Sequence, residues 1–133
     1  MSLYVTDAHA LICYAAGRLR KLGRRGRAVY TAAEAGRAVI YIPALALVEV
    51  LEAIRHGVLR AELPASDWVN GLLSTGAFQF AELTRAVIEA GERLYRIPER
   101  GDRLIAATAV ALDLPLITRD PAMAELADVR VIW

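Results

Sequence analysis

Residues 102–120 read Asp-Arg-Leu-Ile-Ala-Ala-Thr-Ala-Val-Ala-Leu-Asp-Leu-Pro-Leu-Ile-Thr-Arg-Asp, and an acid stands at each end. Asp102 to Leu112 has the pattern of an Ala-rich helix able to pack closely, and Leu114 to Thr118 that of a strand. A helix of about eleven residues descends about 16 Å. A strand of about five residues climbs back about 15 Å. The stretch therefore predicts one α/β unit whose last residue, Asp120, stands level with its first, Asp102.

The same alternation extends outward from this unit. Strands are expected at Leu3–Thr6, Ala38–Ile42, Ala77–Phe80 and Val129–Trp133. Helices are expected at Ala8–Gly17, Ala28–Ala35, Ala44–Arg55, Ala65–Leu73 (capped by Ser66 or Asp67), Leu83–Tyr95 and Asp120–Leu126. The Leu83–Tyr95 helix should pack through Val87, Ile88, Gly91, Leu94 and Tyr95. Ala38–Ile42 is nearly all apolar, as a strand covered on both faces should be. Strands alternating with helices predict an α/β sandwich of three layers around a parallel sheet, with residues 1–133 as one domain.

At 133 residues the chain has the length of one domain, and an apolar fraction of 56% excludes disorder. Sixteen basic and fifteen acidic side chains nearly cancel, so any nucleic-acid footprint must be local. Such a footprint exists: Arg18, Arg20, Lys21, Arg24, Arg25 and Arg27 follow one another with no acid between Asp7 and Glu34. Two glycines interrupt the run, which reads as a flexible basic arm gripping a phosphate backbone, as a solvated loop or as a surface that meets a protein partner. Cys13 is the only cysteine, which excludes an internal disulfide and fits a reducing cytoplasm. No signal peptide and no membrane span are expected.

In a parallel α/β sheet, a residue that starts a helix and one that ends a strand meet at the carboxyl edge, where ligands bind. Asp7 ends the first strand, so Asp7, Asp102 and Asp120 should share that rim. Gathered carboxylates repel, and they either protonate or hold a cation. Hard ions such as Mg²⁺ or Mn²⁺ take oxygen ligands, activate water and stabilise charge on a phosphodiester. No Cys/His cluster with zinc spacing competes. Each of the three aspartates also suits a helix N-cap. Glu49, within Pro43-Ala-Leu-Ala-Leu-Val-Glu49, lies about 9 Å down its helix. It reaches the rim only if that helix tilts; with Glu52 and His56 it equally forms a solvated face. His9 reads as a general base or as a residue that packs near the rim or faces solvent. Trp68, Phe78, Phe80 and Trp133 read as core or subunit surface rather than as base-stacking platforms.

At Leu3–Ile12, Pro43–Ile54 and above all Asp102–Asp120, the chain resembles PIN domains, especially the VapC-type toxins of toxin–antitoxin pairs. The resemblance covers essentially the whole chain. It implies an Mg²⁺- or Mn²⁺-dependent endoribonuclease with Asp7, Glu49, Asp102 and Asp120 as an acidic quartet around one or two ions. Thr118 would be a hydroxyl steadying a carboxylate. It further implies a parallel sheet of about five strands in the order 3-2-1-4-5, a homodimer, an RNA substrate and a small VapB-like antitoxin. Two departures stand out. Ala8 occupies a place where relatives carry Ser or Thr, and Arg119 one where a small polar residue is common; Arg119 there meets substrate phosphate or crowds the site. The rival readings are a non-catalytic PIN-like RNA-binding module, a housekeeping RNA-processing nuclease and a receiver-like phosphoacceptor. The last wants a lysine near its end, whereas the only lysine is Lys21.

Overall fold

The first strand takes the centre of the sheet. In the computed structural model, which describes residues 1–133, β1 (Ser2–Thr6) pairs in parallel with β2 (Ala38–Pro43) on one side. On its other side it pairs with β4 (Leu116–Ile117). β3 (Phe78–Ala81) extends the sheet beyond β2, and β5 (Val131–Ile132) beyond β4. The order is β3-β2-β1-β4-β5 with every pair parallel, the α/β topology that the resemblance implied. Five of the six residues of β2 are buried, because helices cover both of its faces.

The helices are α1 (Ala8–Ala15), α2 (Arg24–Glu34), α3 (Ala44–Arg55), α4 (Ala65–Leu73), α5 (Arg85–Arg93), α6 (Arg100–Leu112) and α7 (Pro121–Ala124), with a short 3₁₀ turn at Leu19–Lys21. Their apolar faces and the sheet share one core of 30 buried residues, among them Val5, Leu11, Tyr30, Ile40, Ile105 and Leu116. No helix is long and apolar enough to cross a membrane.

Three local expectations fail, each for a tertiary reason. The basic arm is not a loop: the 3₁₀ turn is followed by α2, which starts at Arg24 rather than Ala28. Gly23 and Gly26 do not break the helix. They let it approach β4 and the chain end after β5, since a Cβ on Gly23 would collide with the Trp133 backbone, and one on Gly26 would press the Ile117 methyl at 3.3 Å. The Arg25 N–H completes the contact by donating to the Trp133 carbonyl at 3.1 Å. On α5 the buried face is Val87, Ala90, Gly91 and Leu94, while Ile88 and Tyr95 are 49% and 70% exposed. That helix is narrower than the apolar pattern suggested, with Thr84 capping it through a 3.2 Å bond from Val87 N–H. Neither Ser66 nor Asp67 caps α4; Pro64 precedes it without a side-chain cap.

Candidate active site

Asp7 sits where β1 ends and α1 begins. Its N–H donates to the Ile117 carbonyl at 3.1 Å, tying the tip of β1 to the tip of β4. Its Oδ1 accepts from Ala10 N–H at 2.8 Å, so the aspartate caps α1 as its position predicts. Thr118, buried just past β4, accepts the Asp120 N–H at 3.2 Å, and its hydroxyl lies near enough to Asp7 to oppose the rise of that carboxyl. One hydroxyl thus fixes the backbone of Asp120 beside the Asp7 carboxyl. Asp120 in turn caps α7, its Oδ1 accepting Ala122 N–H at 3.0 Å. Asp7, Asp102 and Asp120 line a single concavity of about 620 Å³ with Thr118, His9 and Arg119.

Ala8 leaves no hydroxyl after the first acid, but one stands before it. Buried Thr6 donates to the Asp7 carbonyl at 3.1 Å and lies 2.6 Å from the Tyr30 hydroxyl. With the Thr6 proton engaged, Tyr30 is the donor of that pair. Tyr30 was not singled out in the sequence, where an aromatic among apolar helix residues reads as ordinary core.

Glu49, Glu99 and Asp102 form a second, adjoining group whose carboxylate oxygens all lie within 4.8 Å of one another. Glu99 caps α6, accepting Gly101 N–H at 2.9 Å and Asp102 N–H at 2.6 Å. Asp102 is therefore not the cap of its helix but a residue of its first turn. Glu49 reaches the group because α3 packs against α6 and position 101 is a glycine; a Cβ there would collide with Glu49 Oε1. Asp102 belongs to both groups. Glu49 does not line the concavity of Asp7 and Asp120, and it meets the quartet through Asp102.

The electrostatics follow from this crowding. Burial pushes the Asp7 carboxyl up, the Asp120 charge adds to the push, and the Ala10 N–H, Thr118 and His9 oppose it. Burial likewise raises Asp102, helped by the charges of Glu99, Asp120 and Asp7. Glu49 is pushed up to about 7 by burial and then by Asp102, Glu99 and Asp7. Glu99 goes the other way, held below the usual range by the Asp102 and Gly101 N–H groups. The three ion pairs of the chain, Arg60–Glu62, Arg85–Glu89 and Arg130–Asp113, include none of these five acids. An all-oxygen donor set, mutually repelling and outside these ion pairs, fits a hard divalent cation.

The cations noted in the sequence disperse. Arg119 lines the acidic concavity, and Arg18 and Lys21 line a neighbouring groove. Arg25 borders a small hollow beside Tyr4 and Ile132, while Arg20, Arg24 and Arg27 are exposed. Phe78 is core, Trp68 and Trp133 are half-buried, and Phe80 is exposed beside an apolar hollow away from the acids. His9 is exposed, 3.8 Å from Cys13 Sγ, with its ring centroid 6.1 Å from that of Trp133.

A family model described as the PIN domain matches residues 4–129. No curated protein sequence matches the chain. Among solved structures, VapBC2 from Rickettsia felis bound to a promoter DNA fragment is similar at a TM-score of 0.68 and 13% identity, covering 98% of this chain and 97% of that one. A toxin–antitoxin complex from Klebsiella pneumoniae is similar at 0.64 and 22%, covering 98% and 96%. FitAcB from Neisseria gonorrhoeae is similar at 0.67 and 18%, with the same coverage. At these identities the likeness is one of fold.

Proposed function

The chain belongs to the PIN domain family, and from that premise we propose that it is a divalent-metal-dependent endoribonuclease acting as the toxin of a toxin–antitoxin pair. The observation that carries this reading is the meeting of Asp7, Asp102 and Asp120 around one concavity at the carboxyl edge, with Glu49 within 4.8 Å of Asp102. These four residues would hold one or two Mg²⁺ or Mn²⁺ ions, with Asp102 shared between the two acidic groups. When bound, the metal supplies water of lowered pKa and charge stabilisation at the phosphodiester.

The protein's own part is positioning. Thr118 fixes the Asp120 backbone and favours the ionised Asp7 carboxyl beside it, and Thr6 with Tyr30 fixes the Asp7 carbonyl. Glu49, its carboxyl pushed up to about 7 by burial and then by neighbouring acids, would have to be ionised to hold the cation. Arg119 meets a substrate phosphate at the edge of the acidic concavity. The toxin assignment draws on the solved structures of like fold, VapBC2 and a toxin–antitoxin complex among them. With it come a small VapB-like antitoxin and a homodimer, read out by co-purification with the product of an adjacent small reading frame and by solution mass.

The deciding experiment is cleavage of a single-stranded RNA in Mg²⁺ or Mn²⁺. Asp7→Asn and Asp102→Asn should each lower the rate at least about 100-fold, as loss of interactions made in the transition state does. Undiminished cleavage by both variants ends the proposal. RNA binding without cleavage by the unaltered chain would leave a non-catalytic RNA-binding module in its place.

A further inference from the structure

Beside the acidic concavity runs a groove of about 520 Å³, bounded by the end of α1, the 3₁₀ turn and the chain just after α3. We propose that this groove is the subsite for the single-stranded RNA that flanks the scissile phosphate. The inference rests on the nuclease reading and gives the substrate a path across the surface.

Continuity comes first. His9 lines both the acidic concavity and the groove, so a strand leaving the acids passes over His9 directly into it. Charge comes second. Arg18, Lys21 and Arg60, the last also in an exposed 3.7 Å pair with Glu62, line the groove and no acid does, whereas the concavity beside it carries three aspartates. A polyanion approaching those acids meets Arg119 at the concavity and these three cations in the groove. Phosphate contacts of this kind set the register of a nucleic acid without reading its bases.

Rigidity comes third, because both walls are locked helix ends. At the end of α1, Gly17 has φ +72° and the Arg18 N–H donates to the Cys13 carbonyl at 2.8 Å. At the end of α3, Gly57 has φ +77° and the Val58 N–H donates to the Ala53 carbonyl at 2.8 Å. Each is a left-handed glycine cap that turns the chain sharply. One presents Arg18 immediately; the other buries Leu59 and presents Arg60 one residue later. Ile12, Val58 and Leu59 supply an apolar floor for the face of a base or ribose. No aromatic side chain other than the His9 imidazole lines the groove, so grip on the backbone should dominate over base selection. Arg60 was not recognised in the sequence because it lies far from the arginine cluster. Arg25, within that cluster, borders a different hollow.

The test is binding of a fluorescent single-stranded RNA oligonucleotide, followed by anisotropy in EDTA across a salt series. Arg18→Gln/Lys21→Gln/Arg60→Gln is compared with Arg37→Gln/Arg85→Gln/Arg130→Gln, which removes equal charge from exposed positions outside the groove. The groove variant should bind at least about tenfold more weakly, and its log–log salt slope should fall by about 2, from three phosphate contacts at about 0.7 each. The comparison variant should stay within about twofold of the unaltered chain. Absence of binding by the unaltered chain overturns the proposal. So does equal affinity and slope in the two variants, which would assign the groove to a segment of a partner protein. Cleavage in Mg²⁺ or Mn²⁺ is scored separately. Binding through the groove without cleavage sinks the nuclease reading and upholds the subsite; cleavage with the groove variant unimpaired sinks the subsite alone.

Discussion

Gly101 sets how near Glu49 comes to Asp102. A methyl group at that position would collide with Glu49 Oε1 and lie 3.1 and 3.2 Å from the Glu99 oxygens. Gly101→Ala should therefore push the Glu49 carboxylate aside and weaken Mn²⁺ binding by about 10–100-fold, the range for a disturbed ligand shell. Stability should hold or rise by up to about 1 kcal/mol, because the displaced group is a flexible side-chain end and alanine favours the helix. Calorimetric Mn²⁺ titration and urea unfolding check the two halves; unchanged Mn²⁺ affinity would remove Glu49 from the ligand set. At this scale the sequence was partly legible. Asp7, Asp102 and Asp120 were placeable because each follows or precedes a strongly patterned element. Glu99 escaped notice because glutamate is not among the favoured N-caps, and the one signal was its spacing of three residues before Asp102. The Thr6–Tyr30 pair escaped because hydroxyl partners distant in the chain leave no local trace.

Glycine meant different things in different elements. Gly17 and Gly57 end helices with positive φ, as their positions after apolar-periodic runs predict. Gly23 and Gly26 read equally as breakers, yet one caps and the other lies within α2, where they admit Ile117 of β4 and the backbone and indole of Trp133. Close approach between distant segments is a tertiary fact, and residue spacing cannot separate it from a loop. The distinction is measurable. Gly23→Ala should destabilise by about 1–3 kcal/mol, since the atoms it meets are the Trp133 backbone and indole and something must shift. Gly71→Ala, in exposed α4 with nothing within 4 Å of its Cβ, should stabilise by up to about 1 kcal/mol. Urea midpoints of the two variants should move in opposite directions; a shared direction would mean that α2 does not dock on the chain end after β5 as described. The sheet order, by contrast, came with the family resemblance, while the parallel α/β class followed from alternation alone.

For the molecule as a whole, a rim of like charges ties stability to pH and to cations. Glu49 is raised from 4.5 to about 7, and Asp7 and Asp102 are raised as well, each chiefly by burial. A carboxyl whose folded pKa exceeds its unfolded one binds more protons in the folded state, so stability falls as pH rises through that window. For Glu49 the favourable state is complete below about pH 4.5 and lost by about pH 7. A divalent cation reverses the preference, because it needs the ionised form and binds only the folded chain. Comparing the unaltered chain with Glu49→Gln isolates this group from all other titrations. In EDTA the two melting temperatures should nearly coincide at low pH, and Glu49→Gln should become the more stable as pH passes 7. In millimolar Mg²⁺ or Mn²⁺ at the same pH the order should invert, the unaltered chain gaining more from the ion. A melting-temperature difference that ignores pH in EDTA would place the Glu49 carboxyl in solvent, away from Asp102. A difference that ignores the metal would deny Glu49 a part in holding it.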